Sequence, residues 1–528
     1  MDMKIAVFTG NLAFSVRKGI AEIDKVIPGL QWLVIEHSPS RRPAQLLKNQ
    51  WRNFKRNGWR WIPYQAGDIL QRLAPSSKST APPKPRPGAE FGTAALRSRP
   101  NFTFLKVGDI HAESTLEAVR QFAPDLGLSL AAPILRAELF DLPRKGTLNL
   151  HKGRVPDYRG MPPAFWELWN GEDSVGCTVH WVAEKLDAGD VAGETVVRRA
   201  PFSTLRGLQL KLDETGVDLM REAVQQVVAE QRPARPQPAG GATYRKPTLS
   251  QVAELERKLR GLQPPSPPLT RRLAKAAITS GGFRAWQLGM SHMLAPRITV
   301  LLYHRVTDDV RDNLSVGIEQ FDRQLALLSR HCQVLSIDEV LDSSTVKASG
   351  KPQVCITFDD GYLDNYTHAA QILLRHQLPA AFFVSTGLIG SDRRFPHDTK
   401  RGNDFIPLMD WDHLRRMHGY GFTIGSHTVN HIDCAAEPEE VVLRELADSR
   451  DALHERLGLR ETILAYPYGK RSNMTPERLE MVKQAGYRGC LSAYGGANIG
   501  SVDRFNVLRR GIHWEFSDEA FLFAALGL

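Results

Sequence analysis

The stretch Val354-Cys355-Ile356-Thr357-Phe358-Asp359-Asp360-Gly361 decides how the C-terminal half is read. Its apolar, β-branched run reads as a buried strand, and the glycine after two carboxylates reads as the turn that ends it. Adjacent residues at a strand end diverge, so one carboxylate can hold a metal while the other faces a substrate. Downstream, Ile424-Gly425-Ser426-His427-Thr428-Val429-Asn430-His431 presents two imidazoles four residues apart. That spacing lets both reach one ion if the segment coils into a helical turn. Two His and one carboxylate with an open position form the donor set of a catalytic divalent metal. Asp-Asp-Gly is also an ordinary turn, and a His-x-x-x-His pair arises on many helices, so neither piece decides alone.

Outward from this strand, short apolar runs alternate with amphipathic helical patterns, as at Ile5–Thr9, Leu128–Ala132, Thr299–Tyr303 and Ala381–Val384. The alternation predicts two α/β domains built on largely parallel sheets. A length of 528 residues fits two to four domains. Apolar residues at 42% and charged ones at 24% exclude a wholly disordered or collagen-like chain. No apolar run reaches the ~18 to 20 residues that cross a bilayer. The five cysteines are widely spaced and form no C-x-x-C pair, which argues against a disulfide framework or a zinc knuckle. Met1–Gly10 lacks the regions of a signal peptide and reads as a first buried strand, so a cytoplasmic protein is expected.

The net charge of +10 is concentrated in two places. Residues 40–100 hold 13 Lys or Arg against two acids, Asp68 and Glu90, and residues 231–300 hold 12 against two, Glu254 and Glu256. Everything else is therefore net acidic. The Pro/Ser/Lys-rich run 74–87 reads as a mobile basic insertion within 40–100, and Pro-rich stretches flanking a charged helical pattern read as a linker over 246–297. Within it, Leu269–Leu294 mixes Arg271, Arg272, Lys275 and Arg284 with Leu, Ile, Phe and Trp. It reads either as a solvated linker helix broken at Gly281-Gly282 or as a peripheral contact with an anionic membrane on its inner face.

A second constellation lies in Gly146–Trp166, a strand followed by a Gly/Pro-rich loop entering a helix. Alternation puts Asn149 and His151 on one face, where an amide can stabilise an oxyanion while an imidazole moves protons. Asp187, in the turn Leu186–Asp190, could orient such a His.

Asn149-x-His151, Pro156-x-Tyr158-Arg159-Gly160, Gly176-x-Thr178-x-His180 and Leu186-Asp187-x-Gly189-Asp190 together resemble the formyltransferases that use 10-formyltetrahydrofolate. The resemblance covers roughly residues 100–200 well, with the preceding hundred fitting as a Rossmann-like start. It implies Asn149, His151 and Asp187 as the catalytic trio: an incoming amine attacks the formyl carbon, Asn149 and protonated His151 stabilise the oxyanion, and Asp187 supports proton transfer. The chain departs from the family's usual Ser-Leu-Leu-Pro, reading Gly153-Arg154-Val155-Pro156 instead.

Thr357-Phe358-Asp359-Asp360-Gly361 and His427-Thr428-x-x-His431, with Thr299–Val306 and Ala465-Tyr466-Pro467-Tyr468-Gly469, resemble the polysaccharide deacetylases of the NodB-homology type. The resemblance implies a distorted (β/α) barrel, Asp360, His427 and His431 as ligands of a divalent metal such as zinc, and Asp359 as the general base. It implies the backbone N–H of Tyr468 as an oxyanion donor and His513 as general acid, although beside Trp514 a His can simply pack. Many members carry an Arg where this chain has Ala465, leaving Arg509 or Arg510 to orient the base.

Two domains over 1–245 and 298–528 would then act in concert, since deacylation of an N-acetyl sugar exposes the amine that formylation needs. The expected substrate is a nucleotide- or lipid-linked amino sugar; the sugar, the acyl group removed and the oligomeric state stay open. The alternatives are a methionyl-tRNA formyltransferase-like enzyme gripping RNA through the basic 41–60 segment with Trp51, Phe54 and Trp59, or a deacetylase with a catalytically inactive formyltransferase-like binding domain. Against the tRNA alternative, a deacetylase-like half sits where the tRNA-modifying formyltransferases have their C-terminal RNA-binding domain, and with the catalytic bodies net acidic the overall basic charge is weak evidence for nucleic acid.

Overall fold

The computed structural model describes residues 3–39, 43–58, 86–261, 295–343, 346, 351–403 and 405–527, with the side chains of 43–47 left aside. The chain divides into two compact units, one of residues 1–76 and 89–263, the other of 77–88 and 264–528.

In the first unit the buried run Lys4–Thr9 forms β1, followed by helix α1 (Phe14–Val26), β2 (Gln31–His37), β3 (Phe102–Val107), β4 (Leu126–Ser129), β5 (Thr147–His151), β6 (Ser174–Trp181), β7 (Val191–Arg198) and helix α2 (Leu205–Val228). The sheet order is β3-β2-β1-β4-β5-β6-β7. The first five strands pair in parallel, and β6 and β7 run antiparallel. Strand order reverses between β1 and β4, and α/β sheets bind ligands outside the carboxyl ends of strands at such a switch point.

The segment 40–100, read from the sequence as a mobile insertion, is in part regular. Pro43–Asn57 and Thr93–Arg97 are helical, and Phe91 and Leu96 are buried. Composition misled there because a basic helix and a basic loop carry the same charge. The Pro-rich run up to residue 85 lies outside the described residues. Leu249–Gly261 is a helix of the first unit, with Leu255 and Leu259 buried and Lys258 over the Trp169 ring at 4.6 Å. The supposed linker is thus structured at its start, and 269–294, with its membrane reading, lies outside the described residues. No helix among the described residues is long and apolar enough to cross a membrane.

In the second unit the sheet has nine strands among the described residues: Gln333–Leu335, parallel to the strand at Gln353–Phe358, Asn498–Ile499, antiparallel to the strand at Arg297–Tyr303, and seven parallel strands that form the curl, β8 (Arg297–Tyr303), β9 (Gln353–Phe358), β10 (Ala381–Val384), β11 (Thr423–Ser426), β12 (Ile463–Ala465), β13 (Gly489–Leu491) and β14 (Arg509–Gly511). These seven lie in the order β13-β12-β11-β10-β9-β8-β14. A parallel bridge from Leu491 to Val507, on the lead-in to β14, brings the curl back on itself as a distorted barrel. Alternate residues of these strands, Val300, Cys355, Phe383, Ala465, Leu491 and Val507 among them, meet in one buried cluster that fills the interior. The same alternation carries Thr357 and Asp359 inward with Cys355, and Arg509 inward with Val507.

Candidate active sites

In the first unit, Asn149 and His151 face one way from the end of β5, and the antiparallel register sets His180 directly opposite Asn149. Asn149 Nδ2 is 3.1 Å from His180 Nε2 and 3.5 Å from Asp187 Oδ1. His151 Nδ1 is 3.4 Å from Asp187 Oδ2, and His151 Nε2 donates to the Tyr158 carbonyl at 2.7 Å. Asp187 sits at a left-handed φ of 48°, held by the Gly160 amide on Oδ2 at 3.1 Å and by Arg159 and Gln237 on its own carbonyl. Non-glycine residues hold that conformation only where the surroundings fix it. Burial pushes the Asp187 carboxyl up, but His180, His151 and the Gly160 amide together bring it below its ordinary value. Burial pushes the His151 imidazole down despite Asp187. An ionised carboxylate therefore faces a neutral imidazole at neutral pH.

Beside these groups lies a cavity of about 580 Å³ at the switch point, lined by Val16 and Ile23 of α1, the Leu130–Leu135 loop after β4, and Asn149, His151 and Asp187. Its size and mostly apolar wall suit a small organic ligand. Gly153, where the resembling family has Ser, is forced by close approach: a Cβ there would lie 2.5 Å from the Tyr158 carbonyl and 2.6 Å from His151 Nε2.

In the second unit the candidate residues gather at the C-terminal ends of the barrel strands, where barrel enzymes keep their chemistry. Asp359 and Asp360 follow β9, His427 follows β11, and Tyr468 follows β12. Asp360 turns away from its neighbour through a left-handed φ of 75°, and Thr428, His431 and Tyr468 are also left-handed, at 62°, 55° and 60°. The turn bearing the imidazoles is pinned by Glu445, whose Oε2 accepts the amides of Val429 at 2.9 Å and Asn430 at 2.8 Å. Ser449 Oγ holds the Thr428 carbonyl at 3.1 Å.

Asp360 Oδ1 lies 3.5 Å from Nε2 of both His427 and His431, and the ligand atoms of the three residues fall within 4.8 Å of one another. Asp360 Oδ1 is buried and makes no hydrogen bond. His427 Nδ1 donates to the Ala465 carbonyl at 2.6 Å, which leaves its Nε2 lone pair aimed at Asp360. An orphaned carboxylate oxygen between two imidazoles fits a divalent cation. Burial pushes the Asp360 carboxyl up, yet His427, His431 and His304 hold it well below its usual value. Burial, with His427 adding to it, drives His431 down to about 3.

Arg509, fully buried, clamps Asp359 through both oxygens at 2.7 Å. Of the two candidates, it is the guanidinium that holds Asp359. Arg510, the other candidate, points elsewhere, toward the Ala524 carbonyl at 3.4 Å. Burial raises the Asp359 carboxyl, but Arg509 and His427 bring it below the ordinary range. Tyr468 lays its ring 5.0 Å from that of His431. His513 follows β14 on the same rim, with its ring 4.8 Å from Phe516 and its Nδ1 accepting the Glu515 amide at 3.4 Å.

The sequence reading assigned no role to His180, His304 or His397. His180 stood in the quoted Gly176-x-Thr178-x-His180 pattern, and only strand register puts it on Asn149. His304 follows β8, and burial lowers its imidazole beside Asp360 and Asp359. His397, in Phe395-Pro396-His397-Asp398, reaches Asp360 from the short helix Pro396–Thr399 at 3.7 Å.

Residues 94–224 match the formyl transferase family, and residues 346–490 match the polysaccharide deacetylase family. A methionyl-tRNA formyltransferase of Moorella thermoacetica is 34% identical over 140 residues, which are 26% of this chain and 45% of that protein. The chain spans about half the length of the curated relatives it matches. Among solved structures, the Streptococcus pyogenes deacetylase PplD is 26% identical over 43% of this chain and 98% of its own, with a TM-score of 0.37. A sugar N-formyltransferase from Shewanella is 15% identical over 48% of this chain and 87% of its own, with a TM-score of 0.31. The chain thus carries members of two enzyme families, a formyltransferase domain followed by a polysaccharide deacetylase domain.

Proposed function

We propose that the protein is a bifunctional enzyme of amino-sugar modification that hydrolyses an N-acyl group from a sugar nitrogen in residues 298–528 and formylates a sugar amine in residues 1–245. The observation that carries this reading is the pairing itself: the amine left by one family's reaction is the acceptor of the other's.

In the deacetylase domain, Asp360, His427 and His431 are the residues that would hold a divalent cation such as zinc. A cation bound there would supply Lewis-acid polarisation of the amide carbonyl and a lowered pKa for water. Asp359 receives the proton of the attacking water on a carboxylate lone pair that Arg509 leaves free. The backbone N–H of Tyr468 donates to the tetrahedral oxyanion, and His513 returns a proton to the departing amine.

In the formyltransferase domain, 10-formyltetrahydrofolate supplies the formyl group, and the apolar cavity beside the trio has room for it. Asn149 donates to the developing oxyanion. The Nε2–H of His151 is held by the Tyr158 carbonyl, so the ring takes the amine's proton at Nδ1, facing Asp187. The ionised carboxylate then stabilises the imidazolium, whose charge adds to the pull of Asn149 on the oxyanion; as the oxyanion collapses, the bond from the formyl carbon to the folate nitrogen breaks and the imidazolium proton passes to that nitrogen, releasing tetrahydrofolate.

The substrate in this reading is a nucleotide- or lipid-linked acetamido sugar. Mass spectrometry of reactions with zinc and the folate donor tests it through site variants. Asp359→Asn should leave the acetamido sugar intact, and His151→Ala should stop at the free amine. Formylated product from His151→Ala at the wild-type rate would overturn the assignment.

A second reading, formylation of initiator tRNA, is favoured by the methionyl-tRNA formyltransferase relatives and by the helix Pro43–Asn57, whose Trp51 is 59% exposed with Lys55 over its ring. Formyl transfer to charged initiator tRNA and to no amino sugar would establish it instead.

A further inference from the structure

The short helix Pro396–Thr399 brings a further imidazole against the Asp360 carboxylate. His397 Nε2 lies 3.7 Å from Asp360 Oδ2 and 3.0 Å from the Tyr362 hydroxyl. The proton positions follow from what each neighbour can accept. Asp398 receives Arg305 Nη1 on Oδ1 at 2.8 Å and the Tyr362 hydroxyl on Oδ2 at 2.6 Å. Arg305 is wholly buried, always cationic, and shared between Asp398 and Asp312. The Tyr362 hydroxyl therefore spends its hydrogen on Asp398. Tyr362 Oη is left as an acceptor, so His397 carries its hydrogen on Nε2 and donates it to Tyr362 Oη at 3.0 Å, with Asp360 Oδ2 3.7 Å from the same nitrogen.

The two oxygens of Asp360 thus face different partners. Oδ1, buried without a hydrogen bond, lies 3.5 Å from both His427 and His431, and Oδ2 faces His397. His397 stands outside the set of ligand atoms that fall within 4.8 Å of one another. Phe395 fixes the ring, stacking on His397 at 5.1 Å and meeting His431 edge-on at 5.3 Å.

We infer that His397 is a positioning residue: locked by the chain Arg305–Asp398–Tyr362, it restrains Asp360 Oδ2 so that Oδ1 alone is offered to the cation. This rests on the reading of Asp360, His427 and His431 as a cation site. A carboxylate free to rotate can offer either oxygen or both, and fixing one oxygen removes that freedom before the ion arrives.

Calorimetric zinc titration of the metal-stripped full-length protein tests it, together with the visible spectrum of the cobalt-substituted form. His397→Ala should weaken zinc binding by about 10- to 100-fold, the usual cost of losing such an outer partner. It should also change the cobalt spectrum, with circular dichroism of the metal-free protein unchanged. His397→Gln, which keeps an N–H donor, should recover part of the affinity. Tyr362→Phe, which keeps the ring but removes the acceptor that aims His397, carries the test if His397→Ala does not fold, and should also weaken zinc and alter the spectrum. Wild-type affinity and spectrum in whichever of the two variants folds would overturn the positioning role and leave the cation site standing. Failure of the wild type to take up zinc would overturn the cation site and this inference with it.

Discussion

Replacing Arg509 by Met tests how Asp359 is kept ionised inside the barrel. The guanidinium is fully buried, the Asp359 side chain is 4% exposed, and the pair is bidentate at 2.7 Å on each arm. Removing the cation leaves a buried carboxylate without its main partner, a change that costs about 3–5 kcal/mol. For a unit of this size that corresponds to a fall of about 6–20 °C in melting temperature. The sign with pH follows from the Asp359 carboxyl, which burial raises and Arg509 brings below its ordinary value. The pair's contribution is therefore present above the carboxyl's unfolded pKa and is lost as pH falls through the lower folded value. In Arg509→Met the carboxyl rises, so the deficit relative to wild type should be largest at neutral pH and shrink on acidification. The acid limb of acetate release should move to higher pH. Adding Asp359→Asn to Arg509→Met should restore part of the melting temperature, because neither charge is then stranded. Differential scanning calorimetry across pH reads all of this; a deficit below about 1 kcal/mol at neutral pH, the range of an exposed pair, would refute the reasoning.

Gly153→Ala should abolish formyl transfer while leaving acetate release intact, because its Cβ would lie 2.6 Å from His151 Nε2 and 2.5 Å from the Tyr158 carbonyl that holds it; a parallel assay of both activities checks it. Asn149→Ala should lower formyl transfer about 10²- to 10³-fold, the usual cost of one oxyanion donor, with the amine intermediate accumulating in mass spectra. His151 is held neutral by burial, so the unfolded chain binds the extra proton and the first unit loses stability as pH drops below about 6.5. His151→Gln should flatten that fall, as read by thermal melts at about pH 7.5 and about pH 5.5.

The strand Val354–Phe358 and the pairs Asp359–Asp360 and His427–His431 were legible because their chemistry is local: a strand end diverges two carboxylates, and one tight turn gathers two imidazoles. The choice between Arg509 and Arg510 was not, because it depends on strand parity, fixed only when β14 pairs with β8 at Val300. His180 needed the antiparallel register of β6 on β5, and His397 needed a short helix brought in from 37 positions beyond Asp360. Composition was least reliable in the basic segments. Proline and lysine mark 74–87 as irregular, but the same basic charge on Pro43–Asn57 and Leu249–Gly261 belongs to helices, whose few apolar positions the counts conceal.

The most direct test of the whole account supplies the purified protein with zinc, a panel of acetamido sugars on nucleotide and lipid carriers, and 10-formyltetrahydrofolate labelled with ¹³C in the formyl group, and follows the sugar by mass spectrometry. The account predicts one sugar that releases acetate and returns with a labelled formyl group on the same nitrogen. Acetate release with no label on any sugar, or label only on tRNA, would contradict it.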